Sequence, residues 1–158
     1  MNTRQAVIVS AVRTPMGSFS GVFSNVPATK LGSIAIAEAL KRANVSGEHV
    51  DEVYMGCVLP AGLGQAPARQ SSIGAGIPHS VGATTVNKVC GSSLMTVIMA
   101  EQAISLGKAK IIVAGGIENM TRTPYLLEKA RQGYRLGHGE VTDSVIKDGL
   151  WDVYNNFH

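Results

Sequence analysis

Two thiols and four imidazoles are the side chains best equipped for covalent or acid–base chemistry here: Cys57, Cys90, His49, His79, His138 and His158. Cys90 has the most telling neighbours. A β-branched run, Thr84 to Val89 (TTVNKV), leads without a spacer into Cys90-Gly91-Ser92-Ser93, and a helical stretch follows to Leu106 with Gly107 as its stop. A thiol at that handover lies beside backbone N–H groups that no earlier helical turn can satisfy. It also lies at the positive end of the helix dipole, equivalent to about half an elementary charge. Both stabilise a negative sulfur, the form that attacks electrophiles. The small residues Gly91, Ser92 and Ser93 admit a substrate and leave amides free to bind a developing oxyanion. The plainer alternative for a lone cysteine at a strand end is inert core packing.

Cys57 serves as the control. It lies inside a strand-like run, Met55-Gly56-Cys57-Val58-Leu59, with no helix start behind it, so core packing is its expected role. The histidines are not spaced as metal ligands, and no metal site is expected. His49 and His79 fall in loop contexts and are expected to face solvent; His158 follows an aromatic-polar stretch and, as a bare pattern, reads as a frayed terminus.

The elements that must position Cys90 alternate. Ala6 to Val12 (AVIVSAV) reads as a buried strand closed by Arg13-Thr14-Pro15. A Gly/Ser/Asn loop follows, and then a helix from about Lys30 to Ala43, capped by Thr29, with Leu31, Ile34, Ala35 and Ala39 on its inner face. Val53 to Leu59 is a second strand, Pro67 opens a short helix ending at Gly74 or Gly76, and Lys110 to Ala114 is a fourth strand. Strands alternating with helices predict an α/β fold with a largely parallel sheet. The helix after Cys90 is apolar around almost its whole circumference, so it should be buried on all sides. The 158 residues supply barely enough chain to cover it, so a second copy or a further half-chain is expected to do so. Residues 125 to 158 read as a loop-rich excursion from the sheet.

Composition narrows the class. With 45% apolar and 16% charged residues the chain is expected to fold as one well-cored globular domain. The net charge of +3 with no Lys/Arg run interleaved with aromatics gives nucleic-acid binding no support. The late basic cluster Arg122, Lys129, Arg131 and Arg135 fits a solvated face or a site for an anionic partner. No stretch approaches the ~18 apolar residues of a membrane span, and Met1 to Val12 lacks the pattern of a cleaved leader. Two unpaired cysteines suit a reducing, cytoplasmic location.

Two stretches carry a family resemblance. Asn87-Lys88-Val89-Cys90-Gly91-Ser92-Ser93-Leu94 and Ala114-Gly115-Gly116-Ile117-Glu118-Asn119-Met120-Thr121 resemble the signatures of thiolase N-terminal domains. Val12 to Gly17, Gly64 to Gln70, Asp148 to Asp152 and Asn156 to His158 are similar to further family segments, in order and at matching spacings. The resemblance implies a mixed, largely parallel sheet with helices on both faces and a buried central helix. Residues 1–120 would form the N-terminal α/β domain and 121–158 the beginning of a loop domain, with a C-terminal domain beyond.

It further implies Claisen-type acyl transfer between coenzyme A thioesters through an acyl-cysteine at Cys90, with the thioester as substrate and no covalently bound cofactor. The backbone N–H of Cys90 would bind one oxyanion. Leu150 and His158 match positions lining the acyl and pantetheine pocket. Gln132 to His138 resembles a basic tetramerisation loop, and strand 84–89 would lie at a dimer interface, so a dimer or tetramer, or a partner C-terminal half chain, is implied.

Two departures stand out. Ser93 replaces the usual glycine after Cys-x-Ser, and the chain is about half the family length or less. By resemblance, the activating histidine, the second cysteine, the asparagine-held water and most coenzyme A contacts come from the half beyond residue 158. A non-catalytic fragment and a related condensing synthase are the alternatives; Glu118-Asn119-Met120 and the basic loop favour a thiolase.

Overall fold

The computed structural model describes residues 4–158; the polar start at Met1–Thr3, part of the amino-terminal reading above, lies outside them. Three parallel strands form the sheet: β1 (Glu52–Gly56) in the centre, flanked by β2 (Gly82–Val86) and β3 (Ile112–Gly116). Helix α1 (Ala28–Ala43) precedes β1, α2 (Pro67–Gly74) connects β1 to β2, and α3 (Ser92–Ser105) connects β2 to β3.

Alternation along β1 decides which helix covers which face. Val53, Met55 and Cys57 are buried to 0%, 3% and 1% exposure and share a core with Ile36 and Leu40 of α1, Ala68 of α2, Ile77 and Val81. Gly56 points the other way: a Cβ there would lie 2.7 Å from the Ser92 carbonyl carbon and the Ser93 nitrogen at the start of α3. Its register partner Gly116 would place a Cβ 1.9 Å from Ser93 Oγ. The sheet therefore carries α1 and α2 on one face and α3 on the other, as expected.

Helix α1 turns a different face inward from the one expected. Ala28, Gly32, Ser33, Ile36 and Leu40 are buried, whereas Ile34 is 49% exposed. The close crossing with α2 sets this rotation. A Cβ on Gly32 would stand 2.5 Å from Ile117 Cγ2 and 2.6 Å from Ser71 Oγ, so only glycine fits at the contact. Thr29 is not the cap. The helix begins at Ala28 behind Pro27, and the Thr29 carbonyl accepts from Ser33 Oγ (2.9 Å) and Ser71 Oγ (3.1 Å).

Other differences have equally local causes. The run Ala6–Val12 forms no strand, and Val7, Ile8 and Val9 are 71–80% exposed. A continuous apolar run needs a ladder partner and cover on both faces, and this one pairs with no described strand. The fourth strand starts at Ile112, not Lys110, because the Asp51 carboxylate takes the Lys110 and Ile111 N–H groups at 2.6 and 2.9 Å and holds them off the ladder.

The second strand stops at Gly56 and the third at Val86. Helix α3 is covered on its sheet side, along Ser92, Thr96 and Ala100, while Leu94, Val97 and Ile98 are 66%, 39% and 41% exposed. This is the shortfall of cover anticipated for 158 residues. After β3 the chain is irregular, as expected, with a short antiparallel pair, β4 (Tyr125–Leu126) and β5 (Thr142–Asp143), and a π-type turn at Val145–Leu150.

Replacing Gly32 with Ala overpacks the α1–α2 crossing and is expected to destabilise the chain by about 1–3 kcal/mol, read from the urea midpoint.

Candidate active site

The ladder of β2 ends at Val86, so three residues separate it from the nucleophile candidate. Asn87, Lys88 and Val89 form a tight turn that the sequence pattern had merged with the strand. Val89 adopts φ +48, a left-handed conformation that a β-branched side chain rarely takes and that costs on the order of 1–2 kcal/mol. Four bonds hold it there. Asn87 Oδ1 accepts the Val89 N–H at 2.9 Å, the Lys88 carbonyl accepts the Gly91 N–H at 3.1 Å, and the Val89 carbonyl accepts from the Ser92 N–H (3.0 Å) and hydroxyl (2.6 Å). Ser92 Oγ in turn accepts the Lys88 N–H at 2.8 Å. Strain at such a point, held by surrounding bonds, is a feature of turns that present a reactive group.

The turn lifts Cys90 to the surface at the N-terminal end of α3, with Gly91 as the N-cap residue. The Cys90 N–H has no acceptor among the described residues and is free to bind an oxyanion. Helix α3 is seated firmly: Thr96 is fully buried, and its hydroxyl donates to the Ser93 carbonyl (2.7 Å) and lies 3.0 Å from that of Gly115 on β3.

Cys90 opens onto a cavity of about 400 Å³. Its walls come from the C-terminal ends of all three strands: Gly56, Val58 and Leu59 after β1; Val89, Cys90, Ser92 and Ser93 after β2; Gly116, Ile117, Glu118 and Met120 after β3. The late excursion folds back to close it with Val145, Gly149 and Leu150. Ligands of open α/β sheets bind at this end of the strands. The lining is mainly apolar with one carboxylate, which suits a small, largely apolar group.

The structure thus brings Leu150 and Cys90 to one cavity. His158 is not among the lining residues; it is exposed, with its ring edge-on to Trp151 at 5.4 Å. His49, His79 and His138 are exposed and line no part of the cavity, as is the basic segment 131–138. Among the described residues, then, no imidazole faces Cys90.

Cys57 behaves as the control should. It is 1% exposed, and burial, followed by the nearby Glu118 carboxylate, pushes its thiol up to about 12. Its Sγ lies 3.7 Å from Glu118 Oε1.

Asn87 and Glu118 stand in the two signature stretches, and the sequence pattern assigns neither a role. Glu118 accepts the Val58 N–H at 2.8 Å and the Leu59 N–H at 3.2 Å. Asn119 Nδ2 donates to the Phe23 (2.9 Å) and Val26 (2.8 Å) carbonyls and pins the early loop beside the site. A polar side chain placed just past a strand end is the signal that could have found all three.

The two thiols should separate cleanly. In the folded chain at pH 8, iodoacetamide is expected to label Cys90 and leave Cys57 unmodified, read by peptide mass. Below pH 9.0, the ordinary value for a thiol, folded and unfolded chains both keep the Cys57 proton. Between there and about 12 only the unfolded chain releases it, so stability falls as pH rises. The urea midpoint should drop between pH 8 and pH 11 by a larger amount in the parent chain than in Cys57→Ala.

Comparison with known proteins agrees with this geometry. The family model "Thiolase, N-terminal domain" matches residues 6–158. Acetyl-CoA acetyltransferase 2 of Arabidopsis thaliana is 58% identical over 156 residues, covering 99% of this chain and 39% of that protein. Acetyl-CoA acetyltransferase of Cupriavidus necator is 53% identical over 152 residues, 96% of this chain and 39% of that protein. A mitochondrial acetyl-CoA acetyltransferase of Danio rerio is 53% identical over 154 residues, 98% of this chain and 36% of that protein. The chain spans about two-fifths of the length of these curated relatives. A strained turn presenting an open cysteine to an apolar cavity, in a sequence that matches the family along nearly its whole length, makes the chain a member of the thiolase family, carrying its N-terminal domain.

Proposed function

We propose that this chain is the nucleophile-bearing half of an acetyl-CoA C-acetyltransferase, interconverting two acetyl-CoA with acetoacetyl-CoA and coenzyme A. The observation that carries the reading is Cys90: an exposed thiol on a strained turn, at the N-terminus of a seated helix, facing a cavity of acyl-chain dimensions.

In the first half-reaction the Cys90 thiolate adds to the thioester carbonyl. The oxyanion that forms is held by the Cys90 N–H, and collapse expels the coenzyme A thiolate, leaving an acetyl-cysteine. In the second, the α-carbon of another acetyl-CoA, after losing a proton, attacks the acetyl carbonyl and releases Cys90 as acetoacetyl-CoA forms. Thiolysis by coenzyme A is the reverse. Proton transfers at both steps fall to groups outside these residues, and by family resemblance to the C-terminal half. Leu150 lines the cavity, and by family resemblance Leu150 and His158 belong to the positions that form the acyl and pantetheine pocket. No covalent cofactor is required.

Residues 1–120 constitute the catalytic α/β domain and 121–158 open the loop domain. Assembly into a dimer through the β2 edge, and into a tetramer through the basic segment 132–138, fits two observations. Among the described residues the outer edge of β2 is unpaired, and each residue of the segment is exposed. Among the described residues no helix is long and apolar enough to cross a membrane. Free thiols at Cys57 and Cys90 support a reducing compartment such as the cytoplasm.

One observation favours a second reading for the 158 residues alone. Among the described residues no imidazole lines the cavity, and nucleophilic catalysis without its base loses several powers of ten in rate. The chain by itself is then non-catalytic.

Two assays separate the readings. In the full-length protein, Cys90→Ala is expected to abolish acetyl-enzyme formation from acetyl-CoA, measured by intact mass; undiminished labelling removes Cys90 from the mechanism. The isolated chain is expected to show no measurable thiolysis of acetoacetyl-CoA, and robust turnover would refute the second reading.

A further inference from the structure

Beyond the last paired residues of the sheet, Val86, Gly56 and Gly116, three segments run on without ladder bonds between them, apart from single links from the Cys57 N–H to the Val86 carbonyl and from the Ile117 N–H to the Gly56 carbonyl. Two side chains stitch them together. Glu118 accepts the Val58 N–H (2.8 Å) and the Leu59 N–H (3.2 Å). The other side of the same peptide segment is used as well, since Asn87 Nδ2 donates to the Val58 carbonyl at 3.2 Å. That bond fixes which way the Asn87 amide faces, and its oxygen is thereby aimed at the Val89 N–H, 2.9 Å away. Val89 is the left-handed residue next to the nucleophile.

We propose that Glu118 and Asn87 are positioning residues that act in series, Glu118 through Val58 on Asn87 and Asn87 on Val89, to hold the strained turn that presents Cys90; the proposal rests on the reading of Cys90 as the nucleophile. Neither residue touches the reacting atoms in this role. A carboxylate is required at 118 because two N–H groups converge on its two oxygens, and an amide there would turn a donor against one of them. A carboxamide is required at 87 because it must donate with one end and accept with the other. Without the Asn87 oxygen the Val89 N–H loses its acceptor, and the residue has every reason to relax out of φ +48 and carry the sulfur away from the helix's first amides.

Leu59, whose N–H Glu118 holds, lies where a Cβ on Gly149 would be 3.4 Å away, so the same anchor supports the segment bearing Leu150.

Alkylation of Cys90 by iodoacetamide at pH 8 tests the relay without using any thioester. Asn87→Ala is expected to lower the second-order rate constant at least tenfold and Glu118→Gln three- to tenfold, while the double variant reacts no more slowly than Asn87→Ala. Asn87→Asp keeps the acceptor for Val89 but loses the donor to Val58, so it should recover part of the rate; it also decides the matter if Asn87→Ala does not fold. In the full-length protein the same variants should lower kcat for acetyl transfer with KM for acetyl-CoA changed less than twofold.

Unchanged alkylation in both Asn87 variants, or effects that multiply in the double variant, would overturn the relay. Because alkylation needs no coenzyme A, its failure is distinct from a failure of Cys90 to accept acetyl groups, which would sink the acyltransferase reading instead.

Discussion

The site depends on how closely α3 can approach the sheet. Two register-paired glycines, Gly56 on β1 and Gly116 on β3, leave bare backbone where the first turn of the helix lands. Any larger residue at either position meets the Ser92–Ser93 backbone or the Ser93 side chain. Because the helix sits this low, Thr96 reaches the Gly115 carbonyl, and the chain leaving β2 has only three residues in which to climb from strand to helix. That short climb passes through the left-handed region at Val89, where the Asn87 oxygen takes its N–H. The exposed sulfur of Cys90 and the strain beside it are consequences of the same contact.

Opposite this seated face, α3 presents Leu94, Val97 and Ile98 to solvent. The buried line of the helix, Ser92, Thr96 and Ala100, is made of small side chains because it lies against backbone, Met95, Met99 and Ile104 are half-buried, and Leu94, Val97 and Ile98 fall on the outer side. That side is open, as is the run around Val7 to Val9. Burial of these surfaces and supply of a proton-transferring group to Cys90 are needs of the same kind. Both are met from outside the described residues in the proposed enzyme.

Much of this was legible in the sequence. The order of strands and helices, the helix beginning beside Cys90, the inert burial of Cys57 and the return of the late segment to the pocket through Leu150 all followed from local pattern or family resemblance. Other features were not legible, for physical reasons. Apolar continuity in Ala6–Val12 states a demand for burial, and only tertiary structure supplies the partner. The inner face of α1 was misplaced by periodicity because the position that matters most, Gly32, has no side chain to count. The turn at 87–89 was hidden because Val89 is a β-branched residue in a conformation that its type disfavours, and the bonds holding it come from Asn87 and from segments distant in sequence. His158 carries no signal of its own, and the structure sets it beside Trp151, apart from the cavity lining.

If the close seating of α3 is what presents the nucleophile, adding one methyl group beneath it should disarm the site, and making room above that methyl should restore it. The direct measurement is the rate at which Cys90 becomes acetylated by acetyl-CoA, followed by intact mass in the full-length protein. The account predicts that Gly116→Ala slows this step at least tenfold in a folded protein, and that adding Ser93→Gly, which removes the side chain the methyl meets, recovers most of the loss. Acetylation of Gly116→Ala at the parent rate would contradict it.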